Sequence, residues 1–75
     1  MIDATEWTNL AAVVHTAAKN AGVEFRGLNQ DDNGQWYLLY IKNRRKATMV
    51  FTHSWQAESY HALRDRLTID LANAT

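Results

Sequence analysis

Residues 36–52 read WYLLYIKNRRKATMVFT, two runs of β-forming residues on either side of a polar break. The run from Trp36 to Lys42 is dense in aromatic and aliphatic side chains, and the run from Ala47 to Thr52 has similar β propensity. The break, Asn43-Arg44-Arg45, is short enough that the two runs must form a hairpin. The pattern therefore predicts two antiparallel strands, at residues 36–42 and 47–52.

The chain before this hairpin carries the signals of a helix. Asp3 is a good N-cap and Glu6 follows three residues later, which makes a capping box. Ile2 and Trp7 stand at the two positions of a hydrophobic staple. Gly22 stands where a C′ glycine would end the helix. We predict a helix over residues 4–21, with an apolar stripe formed by Trp7, Leu10, Ala11, Val14, Ala17, Ala18 and Ala21.

Two more elements are predicted on the flanks of the hairpin. Residues 23–26 alternate apolar and polar side chains, which indicates a half-buried strand. Residues 27–35, GLNQDDNGQ, have the composition of an acidic turn. After the hairpin, Thr52 or Ser54 can cap a second helix over residues 54–72. The core stripe of that helix is Tyr60, Leu63, Leu67 and Leu71.

The order of these elements predicts an α+β fold, one domain over residues 1–75 arranged α-β-β-β-α. Its three-stranded antiparallel sheet would carry both helices on one face. The chain has no cysteine, so neither a disulfide nor a thiolate metal site can stabilise it, and we expect no cofactor. No segment resembles a signal peptide or a membrane span, so we expect a cytoplasmic protein without a membrane contact.

The second strand is apolar at both alternate sets of positions, which leaves one apolar row on the sheet face away from the helices. A three-residue loop would put Tyr37, Leu39 and Ile41 on the same face as the apolar positions of the other strand. A two- or four-residue loop would put the alternate row of the second strand there. We choose the first arrangement because it leaves the threonines and Lys42 outside. The expected core of the sheet is then Tyr37, Leu39, Ile41, Ala47, Met49 and Phe51.

The remaining row has two interpretations. In one, it is an exposed patch that binds a protein partner or a second copy of the chain. In the other, the acidic segment at residues 27–35 folds over it and leaves nothing to bind. The residues of this row are Trp36, Leu38, Tyr40 and Val50.

Four positive charges lie within five residues at the tip of the hairpin: Lys42, Arg44, Arg45 and Lys46. One interpretation is a contact with nucleic-acid phosphates or an acidic protein surface. The other is a solvated turn whose charges protect the sheet from aggregation. The chain as a whole has eight basic and eight acidic side chains, and this net charge of zero argues against non-specific nucleic-acid binding.

The element order resembles that of double-stranded-RNA-binding domains. Those domains use lysines at the start of the second helix, where this chain has Ser54-Trp55-Gln56-Ala57-Glu58, and Asp31-Asp32 stand where an RNA contact would be needed. The second half is similar to the arm-binding domains of phage-type integrases. It shares with them a strand bearing a tryptophan, Trp36, then a basic turn, then a strand that ends at Phe51-Thr52 before a helix. This similarity is an analogy that covers about half of the chain.

The patterns offer little support for catalysis or metal binding. His15, His53 and His61 are scattered, and no serine stands in a nucleophile-elbow motif. His61 and Asp65 are four residues apart on the second helix, a spacing more typical of a weak ion pair than of a metal site. On that helix Trp55, Ala62 and Ile69 recur every seven residues, either as a second interaction seam or with Ile69 capping the core.

The leading hypothesis from the sequence is a small non-enzymatic protein-binding module. Small, cysteine-free, single-domain chains are common among phage and mobile-element accessory proteins, among them inhibitors that occlude a host protein. The alternative is a nucleic-acid-binding domain that uses the hairpin at residues 42–46, with Trp36 or Tyr40 as stacking platforms. The predicted partner-binding residues are Trp36, Leu38, Tyr40, Lys42, Arg44, Arg45 and Lys46.

Overall fold

The computed structural model describes residues 4–53 and 59–74. Its elements follow the predicted α-β-β-β-α order: α1 (Ala4–Ala21), β1 (Glu24–Gln30), β2 (Trp36–Lys42), β3 (Arg45–Phe51) and α2 (Tyr60–Asn73). The strands form one antiparallel sheet in the order β1-β2-β3. One buried cluster joins apolar residues of both helices to one face of the sheet, here called the inner face. The predicted α+β fold is therefore confirmed.

Helix α1 has the bounds that its sequence predicts. Leu10, Val14, Ala17 and Ala18 of the apolar stripe are buried. The helix ends in a Schellman motif, because Gly22 takes a positive φ of 77° and the Val23 N–H donates to the Ala18 carbonyl at 3.0 Å. The Gly22 N–H donates to the Lys19 carbonyl at 3.2 Å, which completes the motif.

The first turn of α1 differs from the expectation at Trp7. This side chain is 39% exposed, so it lies at the margin of the core rather than within it. Its indole packs against the ring of Trp36, with 5.1 Å between the ring centroids. Asp3 and Ile2, on which the predicted capping box and staple depend, lie outside the described residues.

The hairpin between β2 and β3 closes through a two-residue turn rather than the expected three-residue loop. Asn43 and Arg44 both take positive φ, 54° and 68°, which is the backbone of a type I′ turn. Lys42 therefore pairs with Arg45, and Trp36 pairs with Phe51. Strand β3 begins at residue 45, two residues earlier than predicted.

The short turn exchanges the two apolar rows of β2, so the predicted exposed row is wrong. Trp36, Leu38 and Tyr40 are 1%, 0% and 4% exposed and form the centre of the sheet's inner face. In the observed register they pair with Phe51, Met49 and Ala47. Side chains that pair directly share a face of the sheet, which places the large residues of β2 and β3 together under the helices.

Strand β1 is longer than predicted, since it continues through four residues that were assigned to the acidic turn. Its pairing with β2 shifts between Phe25 and Gly27, which is a β-bulge, and then resumes with Leu28 opposite Leu38. Leu28 is buried, and that burial holds the extension to the core. The loop to β2 is thereby reduced to residues 31–35.

Helix α2 begins at Tyr60, and Ser59 is its N-cap. The Ser59 hydroxyl oxygen accepts a hydrogen bond from the Ala62 N–H at 3.1 Å. The predicted cap is Thr52 or Ser54. Thr52 precedes the observed cap by seven residues, and Ser54 lies outside the described residues. The predicted stripe is buried at Leu63, Leu67 and Leu71. Ile69 does not cap the core, because its side chain is 60% exposed.

Candidate protein-binding face

The sheet face opposite the helices carries the second apolar row and is here called the outer face. On β2 it consists of Tyr37, Leu39 and Ile41, which are half-buried. Their partners on β3 are Val50, Thr48 and Lys46, which are exposed. Val50 is 49% exposed.

Strand β1 leaves the middle of the outer face open. Gly27 pairs with Leu39, and a side chain there would contact the Leu39 side chain at about 4.0 Å. Glycine thus leaves one flank of Leu39 uncovered. Beside it lies a shallow pocket of about 250 Å³, lined by Arg26, Leu39, Tyr40, Lys46, Ala47 and Thr48. The lining is mixed polar and apolar and includes two cations, Arg26 and Lys46.

The β1–β2 loop makes one end of the outer face acidic. Asp31 organises the loop, since its Oδ1 accepts hydrogen bonds from the Asn33 and Gln35 N–H groups, both at 2.9 Å. Its Oδ2 accepts a 2.8 Å hydrogen bond from the Tyr37 hydroxyl. That hydrogen bond lowers the pKa of Asp31 and raises the pKa of Tyr37. Asp31 is therefore held as a carboxylate at the edge of the face.

The turn end of the sheet is basic; Lys46 lies on the outer face, whereas Arg45 pairs with Lys42 and shares its inner parity. Arg44, Arg45 and Lys46 are exposed at the β2–β3 turn, and Arg26 is exposed on the neighbouring strand. Arg26 lies 3.8 Å from the Glu24 carboxylate, an ion pair between two side chains that are more than half exposed. A pair of this kind contributes little to stability and leaves the guanidinium accessible.

Lys42 does not belong to this basic cluster, contrary to the sequence prediction. It follows Tyr40 on the inner parity of β2, and its ammonium donates to the Leu71 and Ala72 carbonyls at 3.0 and 2.9 Å. A third hydrogen bond goes to the Ala74 carbonyl. The end of a helix leaves carbonyl groups without intrahelical donors and carries a partial negative charge. Lys42 therefore caps α2.

The structure thus separates the seven predicted site residues into three groups. Trp36, Leu38 and Tyr40 are core, Lys42 is a helix cap, and Arg44, Arg45 and Lys46 remain together at the surface. The sequence predicts Tyr37, Leu39 and Ile41 in the core, whereas the structure places them on the outer face. The sequence offers only part of the signal for them: Asn43 tolerates the positive φ that a two-residue turn requires, but Arg44 follows where glycine is usual.

The histidines are not gathered into a site. The His15 ring packs near Phe25 with centroids 5.7 Å apart, and the His53 ring stacks on Tyr60 at 5.9 Å. On α2, Asp65 accepts a 3.2 Å contact from Arg64. Within residues 4–53 and 59–74, no group of three or more acidic or histidine side chains could hold a metal ion. Neither helix in this part of the chain has the apolar length to cross a bilayer.

No protein-family model, no curated protein and no solved structure matches this chain. These comparisons therefore add no related protein to the two resemblances described in the sequence analysis. A proposal of function therefore rests on the residues of the outer face and of its two charged ends.

Proposed function

We propose that this chain is a non-enzymatic protein-binding module and that the outer face is its contact surface. One observation carries the proposal: the row Tyr37, Leu39, Ile41 and Val50 lies on the face that the helices leave uncovered. A row of large apolar side chains with polar surroundings is typical of an interaction surface. A tyrosine at its border adds a residue type that is enriched among the energetically dominant contacts of interfaces.

The dimensions of the face indicate how far the contact must reach. A seven-residue strand is about 20 Å long and three strands are roughly 10–15 Å wide, so the face alone offers on the order of 200–300 Å². A stable interface buries about 800 Å² on each partner. The contact therefore has to extend over the basic turn at Arg44, Arg45 and Lys46. The partner that would fit this surface is a protein with its own apolar patch, bordered by carboxylates.

A module of this kind acts by covering a functional surface of its partner, as an inhibitor does, or by bridging two partners. Each large side chain that becomes fully buried contributes about 1.5–3 kcal/mol, so Leu39, Ile41 and Val50 together could supply the apolar part of a specific contact. The cations at the border contribute more to the association rate and to partner choice than to affinity.

The test is a pull-down from the source cell followed by reconstitution with the purified partner. The variant is Leu39→Ser/Val50→Ser, which removes apolar groups from the outer face and leaves the Asp31–Tyr37 hydrogen bond in place. The matched control is Ile69→Ser, because Ile69 is also a large exposed apolar residue but lies on α2. We expect the partner to bind the wild type and the control and to be lost from the double variant. A partner that binds the folded double variant with wild-type affinity would contradict the proposal.

A second candidate function is nucleic-acid binding through the basic end. The observation that favours it is the grouping of Arg26 and Lys46 on opposite sides of one pocket, next to Arg44 and Arg45. Contacts with phosphates would make the affinity fall steeply with salt, and Arg44→Glu/Arg45→Glu would abolish it. Fluorescence anisotropy with duplex DNA, single-stranded DNA and RNA at low salt decides. Absence of binding to all three removes this candidate, and a protein partner that fails to bind the same variant would show that the cations serve a protein contact.

A further inference from the structure

The two edges of the sheet differ in how well they are protected from pairing with another strand. The β1 edge carries the bulge near Gly27 and the charges of Glu24 and Arg26, all of which discourage a new strand. The β3 edge pairs with β2 in unbroken register along its whole length. Five consecutive uncharged residues, from Ala47 to Phe51, occupy this edge. An edge that is regular, and uncharged after Arg45 and Lys46, is a template for β-pairing.

The turn determines which backbone groups of β3 are available. In a two-residue hairpin the residues that flank the turn form a hydrogen-bonded pair, and bonded pairs then alternate along the ladder. Arg45, Ala47, Met49 and Phe51 consequently direct their backbone groups to β2. The N–H and C=O groups of Lys46, Thr48 and Val50 are directed to the other edge, beside which no strand lies among residues 4–53 and 59–74, and the side chains of these three residues are exposed.

We propose that β3 pairs in antiparallel orientation with β3 of a second copy of this chain, with the two-fold axis at Thr48. Thr48 then faces the partner's Thr48, and Lys46 faces the partner's Val50. Each of these three bonded pairs contributes two hydrogen bonds, which satisfies all the free backbone groups of Lys46, Thr48 and Val50 in both copies. The product is a six-stranded sheet with all four helices on one side.

Charge complementarity favours a second copy over other occupants and favours this direction of pairing. Strand β3 begins at the basic end of the sheet and ends beside Trp36, next to the acidic loop. Antiparallel pairing therefore brings Arg45 and Lys46 beside the partner's acidic end. Lys46 shares the outer face with the partner's Val50 and Tyr37, two strand spacings or about 10 Å away, and Tyr37 holds Asp31. Asp31 lies beyond Tyr37, so this attraction acts over more than about one Debye length and weakens as salt is added.

The side chains on the inner parity of β3 support the same pairing. Ala47 would lie opposite the partner's Met49, and both residues are half-buried in a single copy. A parallel arrangement would instead align the basic ends of both copies. The dimer also joins the two outer faces into one continuous surface of about twice the area, although its formation does not depend on the proposed function.

Sedimentation equilibrium over a wide concentration range tests the dimer. We expect the wild type to reach twice the 8.6 kDa mass of one chain. Thr48→Pro should remain a folded monomer, because proline is tolerated on an edge strand where the lost N–H faced solvent. Val50→Lys should also be monomeric, since the new lysine lies opposite the partner's Lys46. Lys46→Glu/Val50→Lys should restore the dimer, because each substituted position then faces an opposite charge. Circular dichroism verifies the fold of every variant.

The charge pair keeps the test decisive if the proline variant fails to fold. A wild type that stays monomeric at every concentration overturns the proposal. A folded Thr48→Pro protein that remains dimeric overturns it as well. A Lys46→Glu/Val50→Lys protein that is folded but monomeric overturns the register, whereas its recovery of the dimer cannot result from a general change in stability.

Discussion

The Tyr37 hydroxyl donates a 2.8 Å hydrogen bond to the Asp31 carboxylate, which joins the outer face of the sheet to the loop at its acidic end. The same carboxylate accepts two backbone N–H groups of its own loop, so Asp31 acts as an Asx-turn residue and as an anchor for Tyr37. The contact orients the aromatic ring that β2 places on the outer face. The contact needs an ionised Asp31 and a neutral Tyr37, so its strength depends on pH.

The first prediction concerns this pH dependence. Because folding lowers the pKa of Asp31, its stabilising contribution is present above the usual value of 3.8 and is lost as the pH falls through the lowered pKa. Because folding raises the pKa of Tyr37, its contribution is present below 10.0 and is lost as the pH rises through the raised pKa. We expect Tyr37→Phe to melt below the wild type at neutral pH, with the difference shrinking toward both extremes.

A direct measurement is NMR titration of the Asp31 carboxyl group. In Tyr37→Phe its pKa should rise toward 3.8, since the hydroxyl is the largest cause of its depression. Asp32→Asn is the matched control, because Asp32 is the exposed neighbour in the same loop. An Asp31 pKa that is the same in wild type and Tyr37→Phe would show that the hydrogen bond does not form in solution.

A second prediction concerns Lys42 as the cap of α2. Lys42→Met keeps the length of the side chain and removes the ammonium that binds three carbonyl groups. We expect a loss of about 1–2 kcal/mol in the free energy of unfolding, from the hydrogen bonds and from the helix dipole. Lys46→Met is the control and should change stability by less than about 0.5 kcal/mol, since Lys46 is exposed. Urea unfolding measures both, and equal effects of the two substitutions would contradict the cap.

A third prediction follows from the backbone of the turn. Arg44 takes a φ of 68°, a conformation that costs a residue with a side chain roughly 1–2 kcal/mol. Arg44→Gly should therefore stabilise the protein by about 1 kcal/mol, and Asn43→Gly should give less because asparagine tolerates this region. Arg45→Gly is the opposite control, since Arg45 is in a strand and glycine there is destabilising. A lower melting temperature for Arg44→Gly would argue against the type I′ turn.

The elements that the sequence predicted well are those that local chemistry determines. The bounds of α1 are predicted correctly because the apolar repeat, the helix length and the terminating Gly22 can all be read from one continuous segment. The rows of β2 could not be assigned in this way, since both are apolar and the choice depends on the loop length. A glycine after Asn43 would have signalled a two-residue turn, but the chain has Arg44. The seven residue pairs between β2 and β3 outweigh the strain at that residue.

The candidate site was harder to predict than the fold because its residues take their roles from distant parts of the chain. Lys42 belongs by sequence to a basic run, yet its partners on α2 are 29 to 32 residues away. The extension of β1 depends in the same way on the burial of Leu28 against the core. Arg44, Arg45 and Lys46 were predicted at the surface correctly, because a charged turn has no other place in so small a fold.

The last prediction tests the assignment of the two rows of β2. Trp36 is 1% exposed and packs between the rings of Trp7 and Phe51, at centroid distances of 5.1 and 6.4 Å. Trp36→Ala should cost about 3–5 kcal/mol. A chain of this length has only about 4–11 kcal/mol of stability, so the substitution should remove a large part of it. Val50→Ala, on the outer face, should cost less than about 1 kcal/mol. Urea unfolding followed by circular dichroism measures both. A Trp36→Ala protein with wild-type stability, together with a strongly destabilised Val50→Ala protein, would reverse the two faces and move the binding surface to the row that contains Trp36.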